Sequence, residues 1–448
     1  MTTDVAQAAA PAAQAPAFSR GYRRLAVSVL MLIYVFNFLD RQIVTILAEP
    51  IKNDLHLADW QLGLMTGLSF ALFYTLLGFP IARLAERGDR PLIITLSVAA
   101  WSLATTVCGL TQTFWQLIAA RIGVGVGEAG CTPAVTSLIA DYTPKEQRAS
   151  AMSIYALGSP IGTLLGLAIG GVVASLWGWR AAFLVVGAPG LVLAVIAYLT
   201  LREPRRRLKG MLAPQAEASP PFWEAFAEIR RNKTIWRLIA GGATRSFVQF
   251  GIGAFMASFL MRNHAAEIAA LGAHVGLKGA GVVGPALGLT AGVGGAMGAI
   301  LGGRLVDHFA RGDARAYATI PALGMICGMP FLVGAILSPS FVVALLLLMA
   351  AGAFSTWWTG PIYGAIQGLF QPRVRATATA TMLFTNNLIG LGLGPLAVGL
   401  VSDFYSKTLA LGSAVGVKWA ILTFLILDLP ASLFYWSASR TLRAELIH

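Results

Sequence analysis

Long apolar runs separated by short polar segments dominate the chain. Each run has about 20 residues or more, the length that an α-helix needs to cross the hydrocarbon core of a bilayer. The runs lie at 23–48, 60–84, 91–111, 114–141, 149–175, 180–200, 234–261, 281–306, 316–337, 341–370, 376–401 and 417–438. No segment alternates apolar and polar residues at a period of two. The pattern therefore predicts an all-α polytopic membrane protein with twelve transmembrane helices.

The longest polar segment between the runs divides them into two groups of six. Two equal groups around one linker indicate duplication of a six-helix unit. A second sign is that residues 82–90, after the second run, resemble residues 303–311, after the eighth. The predicted organisation is a disordered cytoplasmic tail 1–20, a first six-helix bundle 21–201, a cytoplasmic linker 202–233, a second six-helix bundle 234–440 and a cytoplasmic tail 441–448.

Lysine and arginine are distributed unequally between the two sides of the predicted bundle. The linker, the termini and the loops on their side carry 24 of the 33 basic residues, whereas the opposite loops carry six. Cytoplasmic loops of membrane proteins are enriched in Lys and Arg. We therefore expect a multi-pass protein of the bacterial inner membrane with both termini in the cytoplasm.

Composition excludes several other classes of protein. Hydrophobic residues make up 56% of the chain and charged residues only 12%, whereas a soluble chain has roughly 25% charged residues. The net charge of +13 lies mainly between the runs, so we expect no nucleic-acid partner. The three cysteines have no metal-ligand spacing. We therefore expect neither a metal nor a cofactor. The sequence contains no set of groups suited to covalent catalysis, so we do not expect an enzyme.

Two opposite charges lie in the fourth apolar run. Arg121 and Glu128 are seven residues apart, almost two helical turns, so one face of the helix carries both. A charge near the bilayer centre costs about 2.5–3.5 kcal/mol on insertion scales. We expect this face to line a polar cavity.

The remaining charges within the runs lie in the first, seventh and twelfth. Asp40 and Arg41 are adjacent in the first run and point about 100° apart around the helix, so we expect them to face different partners. Arg245 lies in the seventh run, the counterpart of the first, and is predicted on the second wall of the same cavity. Asp428, in the twelfth run, is interpreted as structural.

The loop after the second run resembles the cytoplasmic loop signature of the major facilitator superfamily, Gly-x-Leu-Ala-Asp-Arg-x-Gly-Arg. Glu86 takes the acidic position and Arg87 and Arg90 take the basic positions, while two of the signature's glycines are replaced. We expect these three residues, with Asp307 in the corresponding segment of the second half, to form a cytoplasmic gate between the two bundles.

Small and aromatic residues suggest two further roles. Gly158, Gly162, Gly166 and Gly170 form a smooth ridge on the fifth helix, which we interpret as a sliding contact across the two halves. Aromatic residues in facing spans predict an apolar path for an acyl chain. These residues are Phe73, Tyr74, Phe247, Phe250, Trp357 and Trp358.

Further motifs resemble the spinster family within the major facilitator superfamily. They are Asn37-Phe-Leu-Asp-Arg41, Trp101-Ser-Leu103, Arg121 through Ala129, Leu138-Ile-Ala-Asp141, Arg148-x-x-x-Met152-Ser-Ile-Tyr155, Pro160-x-Gly162, Trp179-Arg180, Arg202-Glu-Pro204, Arg375-Ala-Thr-Ala378 and Gly399-Leu-Val-Ser-Asp403. The resemblance implies two pseudo-symmetric six-helix bundles that alternate access to a central cavity. It also implies an amphiphilic cargo, such as a lysophospholipid or a sphingosine phosphate, and coupling to protons.

Carried over by position, the resemblance makes Asp40 and Glu128 the protonation sites, with Arg41 and Arg121 as their charge partners. Burial favours the neutral form of a carboxyl group and a nearby arginine favours its charged form, so such a site can change protonation during transport. We expect protonation of Glu128 to release Arg121 for an anionic headgroup, with Arg41 and Arg245 also contributing to headgroup binding.

The predicted function is therefore proton-coupled transport of an anionic amphiphile by a monomer. A proton symporter for small organic anions remains an alternative, because Arg121 and Arg245 would suit it. A multidrug exporter is a second alternative, although three cavity arginines are unfavourable for a cationic cargo.

Overall fold

The computed structural model describes residues 18–204 and 222–445, and these residues are almost entirely helical. The α-helices are α1 Arg20–Leu55, α2 Asp59–Gly63, α3 Ser69–Arg87, α4 Arg90–Cys108, α5 Phe114–Glu128, α6 Cys131–Tyr142, α7 Arg148–Ala156, α8 Gly158–Thr200, α9 Phe222–Arg231, α10 Lys233–Asn263, α11 Ala265–Val275, α12 Ala280–Ala310, α13 Ala316–Leu337, α14 Phe341–Ser355, α15 Thr359–Leu369, α16 Pro372–Thr385, α17 Gly394–Asp403, α18 Ser413–Leu425 and α19 Asp428–Glu445. Parts of the two predicted tails, 1–17 and 446–448, lie outside the described residues. So does part of the predicted linker, 205–221, which includes Arg205-Arg206-Arg207.

Ten helical segments in the described part of the chain are long and apolar enough to cross a membrane. One of them, 148–200, contains two predicted spans, because the backbone turns at Gly178 with φ of 85°. The 31-residue α10 is an additional long helix, less apolar because it carries Arg237, Arg245 and Gln249. With these two adjustments the described segments correspond to the twelve predicted spans.

Several predicted spans are broken rather than continuous. The fourth span breaks between α5 and α6, directly after Glu128, and the twelfth breaks directly before Asp428. The eleventh contains a π-helical segment, Asn386–Leu393. Such departures from the α-helical hydrogen-bond pattern occur in membranes where the freed backbone groups are buried in protein or line a cavity. The breaks therefore mark the part of the bundle where function is expected.

The ends of two predicted domains differ from expectation. The predicted linker contains a ten-residue helix, α9, whose Ala225 and Ile229 are buried against the second half. The last helix, α19, continues to Glu445, so the predicted tail begins as helix. Apolar side chains at Ala438 and Leu442, both buried, hold this extension against the bundle.

The glycine ridge on α8 packs differently from the prediction. Gly158, Gly166 and Gly170 lie against α1 of the same half, where an added Cβ would come within 2.7–2.8 Å of Tyr34, Leu39 or Ile43. The close approach between the halves is made instead beside this ridge, where an added Cβ on Gly171 would lie 3.2 Å from the Cα of Gly284. The prediction of a sliding contact by the ridge itself was wrong, because its face is occupied by α1.

The two halves meet mainly at one end of the bundle. We name the end where α8 finishes and α10 begins the linker face, and the opposite end, where α1 finishes and α2 begins, the far face. At the far face, α8 packs against α12 and α2 packs against α17. At the linker face, α7 packs against α1, α6 and α8, while α15 packs against α13 and α16. The space between the halves is therefore closed at the far face and opens toward the linker face.

Candidate functional site

A cavity of about 470 Å³ lies between the two halves. Its first-half wall carries Arg41 and Arg121, together with hydroxyl and amide groups. Its second-half wall carries Arg245 and Asp428 and continues as an apolar surface formed by α12, α13 and α14. The cavity thus combines charged groups at one part of its wall with a long apolar region at another.

Local sequence fixes the position of α5, the helix that carries Arg121 and Glu128. Thr113 and Gln116 form a capping box at its N-terminus: the Thr113 hydroxyl accepts from the Gln116 amide, and the Gln116 side chain accepts from the Thr113 amide. Further along, an added Cβ on Gly125 would lie 2.6 Å from the Phe70 carbonyl oxygen. Glycine therefore allows α5 to pack closely on α3 and to bury its charges.

Glu128 pairs with Arg41. The Arg41 Nε donates to Glu128 Oε2 at 2.8 Å, and Arg41 Nη2 lies 2.7 Å from the same oxygen. The Glu128 side chain is fully buried, whereas that of Arg41 is 21% exposed. The predicted partner of Glu128 was Arg121, so the observed pairing differs. Arg121 lies seven residues before Glu128 on the same helix, about 10 Å along its axis, whereas the long Arg41 side chain reaches Glu128 from α1.

Asp40 points to a different neighbour, as its 100° offset from Arg41 predicts. The Thr105 hydroxyl of α4 donates to Asp40 Oδ2 at 2.6 Å. The other carboxyl oxygen, Oδ1, is buried without a hydrogen-bond partner among the described residues. The prediction that Asp40 and Arg41 face different partners is confirmed.

Arg121 is buried, and its Nε and Nη1 find no hydrogen-bond partner in the described part of the chain. Its guanidinium carbon lies 5.3 Å from the centre of the Phe70 ring, and the residue lines the cavity. A buried guanidinium with unused donors is costly unless a ligand or water supplies acceptors. Arg121 is therefore the cation best placed to bind an anionic group in the cavity.

On the second-half wall, Arg245 is bound to Asp428. Arg245 Nη1 donates to Asp428 Oδ1 at 3.0 Å and to Oδ2 at 2.8 Å, and both side chains are buried. Arg245 Nη2 also donates to the Ser355 carbonyl oxygen at 3.4 Å. Asp428, interpreted from sequence as structural, thus lies in the cavity wall as the counter-charge of Arg245.

The six predicted path aromatics do not share one surface. Phe250 lines the cavity, and the Tyr74 ring centre lies 4.6 Å from the Arg41 guanidinium carbon. Phe247 stacks on Phe424 with 5.4 Å between ring centres. The others have separate surroundings: Phe73 is half-buried, Trp357 packs on Gly302 and Gly324, and Trp358 donates from Nε1 to Gln249 Oε1 at 3.3 Å.

Two of the four predicted gate residues, Arg90 and Asp307, have described side chains, and these two do not pair with each other. The Glu86 and Arg87 side chains lie outside the described residues. Arg90 is fully buried and bound within the first half, to Glu203 and, at 2.7 Å, to Asp141. Asp307 is exposed near the end of α12. A gating role for Glu86, Arg87, Arg90 and Asp307 therefore stays a prediction.

Sequence reasoning missed two polar groups of the second-half wall. Gln249 lies one helical turn after Arg245 on α10 and lines the cavity, held by Trp358. Asn386 opens the π-helical segment and is buried beside Gly242, with its Oδ1 lacking a partner among the described residues. The spacing of Gln249 from Arg245 by four residues was the available signal, because such residues share a helix face.

Comparisons with known proteins agree on the family. Residues 30–395 match the sequence family described as the Major Facilitator Superfamily. An MFS-type efflux pump of Mycolicibacterium smegmatis is 31% identical over 94% of both chains. Protein spinster homolog 1 of Xenopus tropicalis is 26% identical over 86% of this chain and 74% of its own.

A solved structure extends the agreement to three dimensions. It is the crystal structure of a bacterial homologue of the human lysosomal transporter spinster in an inward-facing and unoccupied conformation, with a TM-score of 0.84 and 32% identity over 96% of this chain and 100% of that one. The resemblance to spinster proteins and the predicted fold class are therefore confirmed, and the relatives are transporters rather than enzymes. The chain belongs to the Major Facilitator Superfamily and is a membrane transporter of the spinster type, which works by alternating access.

Proposed function

We propose that the protein is a proton-coupled carrier of an anionic amphiphile, such as a lysophospholipid or a sphingosine-phosphate-like lipid. One observation carries the proposal: a buried arginine with unused donors, Arg121, faces the same cavity that continues as a long apolar surface. A phosphate or carboxylate would supply acceptors for Arg121. A hydrocarbon chain would cover the apolar surface.

Small residues along the apolar region leave room for a hydrocarbon chain. Gly324 and Gly328 on α13 and Gly352 on α14 contribute to the cavity wall. Met329 and Leu348 line the same cavity, and their flexible or branched apolar side chains adapt to a ligand without offering strong hydrogen bonds. This region replaces the predicted aromatic path as the proposed site of the acyl chain.

Proton coupling is supported by the arrangement of buried charges in the first half. Asp40, Glu128 and Arg121 are buried, and Arg41, which bonds Glu128, is partly exposed. The four groups of this cluster sum to a charge of zero when all are ionised. Protonation of Glu128 would remove the counter-charge of Arg41, its bonded partner. In the proposed coupling step the Arg41 guanidinium is then free to join Arg121 at the anionic group, with Arg245 across the cavity.

Two other cargoes remain candidates. The relative from Mycolicibacterium smegmatis is an efflux pump. Arg41 and Arg245 are paired with acids, which leaves Arg121 as the cavity arginine with available donors. The positive charge of the cavity is therefore a smaller obstacle to binding a drug than three unpaired arginines would be. A small organic anion would use Arg121 and Arg245, but it would leave the apolar surface uncovered.

We further propose a monomer in the bacterial inner membrane, with both termini cytoplasmic.

The proposal is tested with purified protein in liposomes under an imposed pH gradient. Movement of a fluorescent lysophospholipid is followed for the wild type, for Glu128→Gln and for Asp313→Asn, which changes an exposed acid in a loop (46% exposed). We expect gradient-driven movement by the wild type and by Asp313→Asn. We expect Glu128→Gln to lose the response to the gradient, because a glutamine amide, unlike a carboxyl group, does not bind and release a proton.

The same liposomes distinguish the alternatives. If folded wild-type protein moves ethidium along the gradient but no lysophospholipid, the exporter is supported and the lipid cargo is excluded. If a sugar acid alone is moved, the small-anion symporter is supported. Full gradient dependence in Glu128→Gln would exclude Glu128 as a coupling group whatever the cargo.

A further inference from the structure

Four charged side chains from both halves form a cluster at the far face. Glu49 and Lys52 belong to α1, Asp59 begins α2, and Arg262 lies in the last turn of α10. The Asp59 side chain is 1% exposed and that of Arg262 is 6% exposed. Charged side chains are rarely buried to this extent unless they are paired.

Arg262 of the second half binds two carboxylates of the first. Its Nε donates to both oxygens of Glu49 at 3.0 and 2.9 Å, and its Nη2 donates to Glu49 Oε2 at 2.8 Å. Its Nη1 and Nη2 donate to the two oxygens of Asp59 at 2.9 and 2.8 Å. One guanidinium therefore joins the halves through five charge-assisted hydrogen bonds, the strongest class in proteins.

Asp59 is the hub of this contact. It also accepts from the Ser402 hydroxyl of the second half at 2.6 Å, and Asp403 accepts from the Trp60 amide at 2.9 Å. Within the first half, Lys52 Nζ lies 2.5 Å from Asp59 Oδ1. Asp59 thus has one cation from each half.

The two cations differ in what happens to them when the halves separate at the far face. Arg262 must leave with the second half, whereas Lys52 stays beside Asp59. The first-half members, Glu49, Asp59 and Lys52, sum to a charge of −1, and this charge attracts Arg262. Adding to that negative charge strengthens closure and reducing it weakens closure.

We propose that Arg262, Glu49 and Asp59 form the lock that closes the cavity at the far face, and that Lys52 sets how tightly the lock holds. This inference needs only alternating access, not the cargo or the coupling ion. Its failure is therefore distinguishable from failure of the proposed function.

Opening at the far face is measured with spin labels on the two halves. Labels are placed at Asn53→Cys and Leu409→Cys, both exposed near this face, with Cys327→Ala to remove the exposed native thiol. Pulsed electron-spin distance distributions give the ratio of open to closed populations in liposomes at one fixed pH without cargo.

We expect Arg262→Gln to raise the ratio of open to closed populations by roughly tenfold to hundredfold, as expected for the loss of charge-assisted hydrogen bonds. The matched control is Arg180→Gln. Arg180 also lies near this face, but it binds Asp54 of its own half, with Nη1 at 2.8 Å from Oδ2. If Arg262→Gln changes the ratio no more than Arg180→Gln does, the lock is overturned.

The role of Lys52 is tested by rescue. Glu49→Gln brings the first-half charge to zero and should raise the open population. Adding Lys52→Gln returns that charge to −1 and should move the ratio back toward the wild type. A double variant that is as open as Glu49→Gln, or more open, would overturn the role of Lys52, because damage to packing alone adds rather than cancels.

If Arg262→Gln does not fold, Arg262→Lys, which keeps the charge, is measured in its place.

Discussion

The two halves hold their buried charges in opposite ways. In the second half, Arg245 donates to both oxygens of Asp428 and to the Ser355 carbonyl, and its Nε is the one buried atom of this pair without a partner among the described residues. In the first half, Glu128 Oε1 and Asp40 Oδ1 lack partners among the described residues, as do two nitrogens of Arg121. One half therefore contains a nearly saturated pair and the other a cluster with unused donors and acceptors.

This difference indicates a division of labour. A nearly saturated buried pair is expensive to break and serves best as a fixed support, whereas unused buried groups are retained where a ligand, water or proton fills them during function. We infer that Arg245 and Asp428 hold the shape of the second-half wall. The first-half cluster changes its partners during the cycle.

The largest expected effect comes from breaking the fixed pair. Asp428→Asn leaves Arg245 buried without a counter-charge, which should lower the free energy of unfolding by about 3–5 kcal/mol. Glu128→Gln should cost less stability, because Arg41 is partly exposed to the cavity and lies beside the rings of Phe70 and Tyr74. Unfolding in mixed detergent micelles, followed by tryptophan fluorescence, measures both variants.

The reverse ranking would contradict the division of labour. If Glu128→Gln destabilised the protein more than Asp428→Asn, the first-half cluster would be the structural one. Asp428→Glu is the control, since it keeps the charge and should recover part of the stability.

The comparison also shows what sequence could and could not predict. The position of each charge within a span was predictable, because an apolar run makes Asp40, Glu128 and Arg245 conspicuous. Their partners were not, since pairing depends on which helices cross at that depth. Arg41 bonds Glu128 across 87 positions of sequence, and no periodicity within one helix predicts such a contact.

Helix breaks and the far-face lock escaped prediction for related reasons. An apolar run gives the length of a span but not the break after Glu128, which depends on how the freed backbone groups are buried. Glu49, Lys52 and Arg262 lie close to the ends of their helices, where charges are common and carry little information. Only the meeting of α1, α2 and α10 makes them a cluster.

The second prediction sharpens the role of the unused donors. Arg121→Gln should lower the free energy of unfolding by less than the roughly 3–5 kcal/mol expected for Asp428→Asn. The loss of Nε and Nη1 leaves no protein partner unpaired among the described residues, although the buried cluster loses one of its two cations. The half-saturating concentration of an anionic cargo should rise about tenfold, because binding loses about one charge-assisted hydrogen bond. Concentration dependence of uptake in liposomes measures this change.

Arg121→Lys separates charge from geometry in the same assay. Lysine keeps the positive charge but not the planar pair of donors, so it should recover only part of the affinity. Unchanged half-saturation in Arg121→Gln would show that the anionic group binds elsewhere, with Arg245 and Gln249 as the next candidates.

The smallest expected effect concerns the single hydroxyl that holds Asp40. Thr105→Val keeps the shape of the side chain but removes the donor 2.6 Å from Asp40 Oδ2, so the carboxyl group loses its fixed orientation. We expect the initial rate of gradient-driven transport to fall about two- to fivefold, the rate equivalent of roughly 0.5–1 kcal/mol. The neighbouring Thr106→Val is a matched control, because the Thr106 hydroxyl donates to the Ser102 carbonyl of its own helix at 2.8 Å. If both variants slow transport equally, the effect belongs to helix α4 in general and not to Asp40. A rate restored by Thr105→Ser would assign it to the hydroxyl, and with it to the exchanging cluster of the first half.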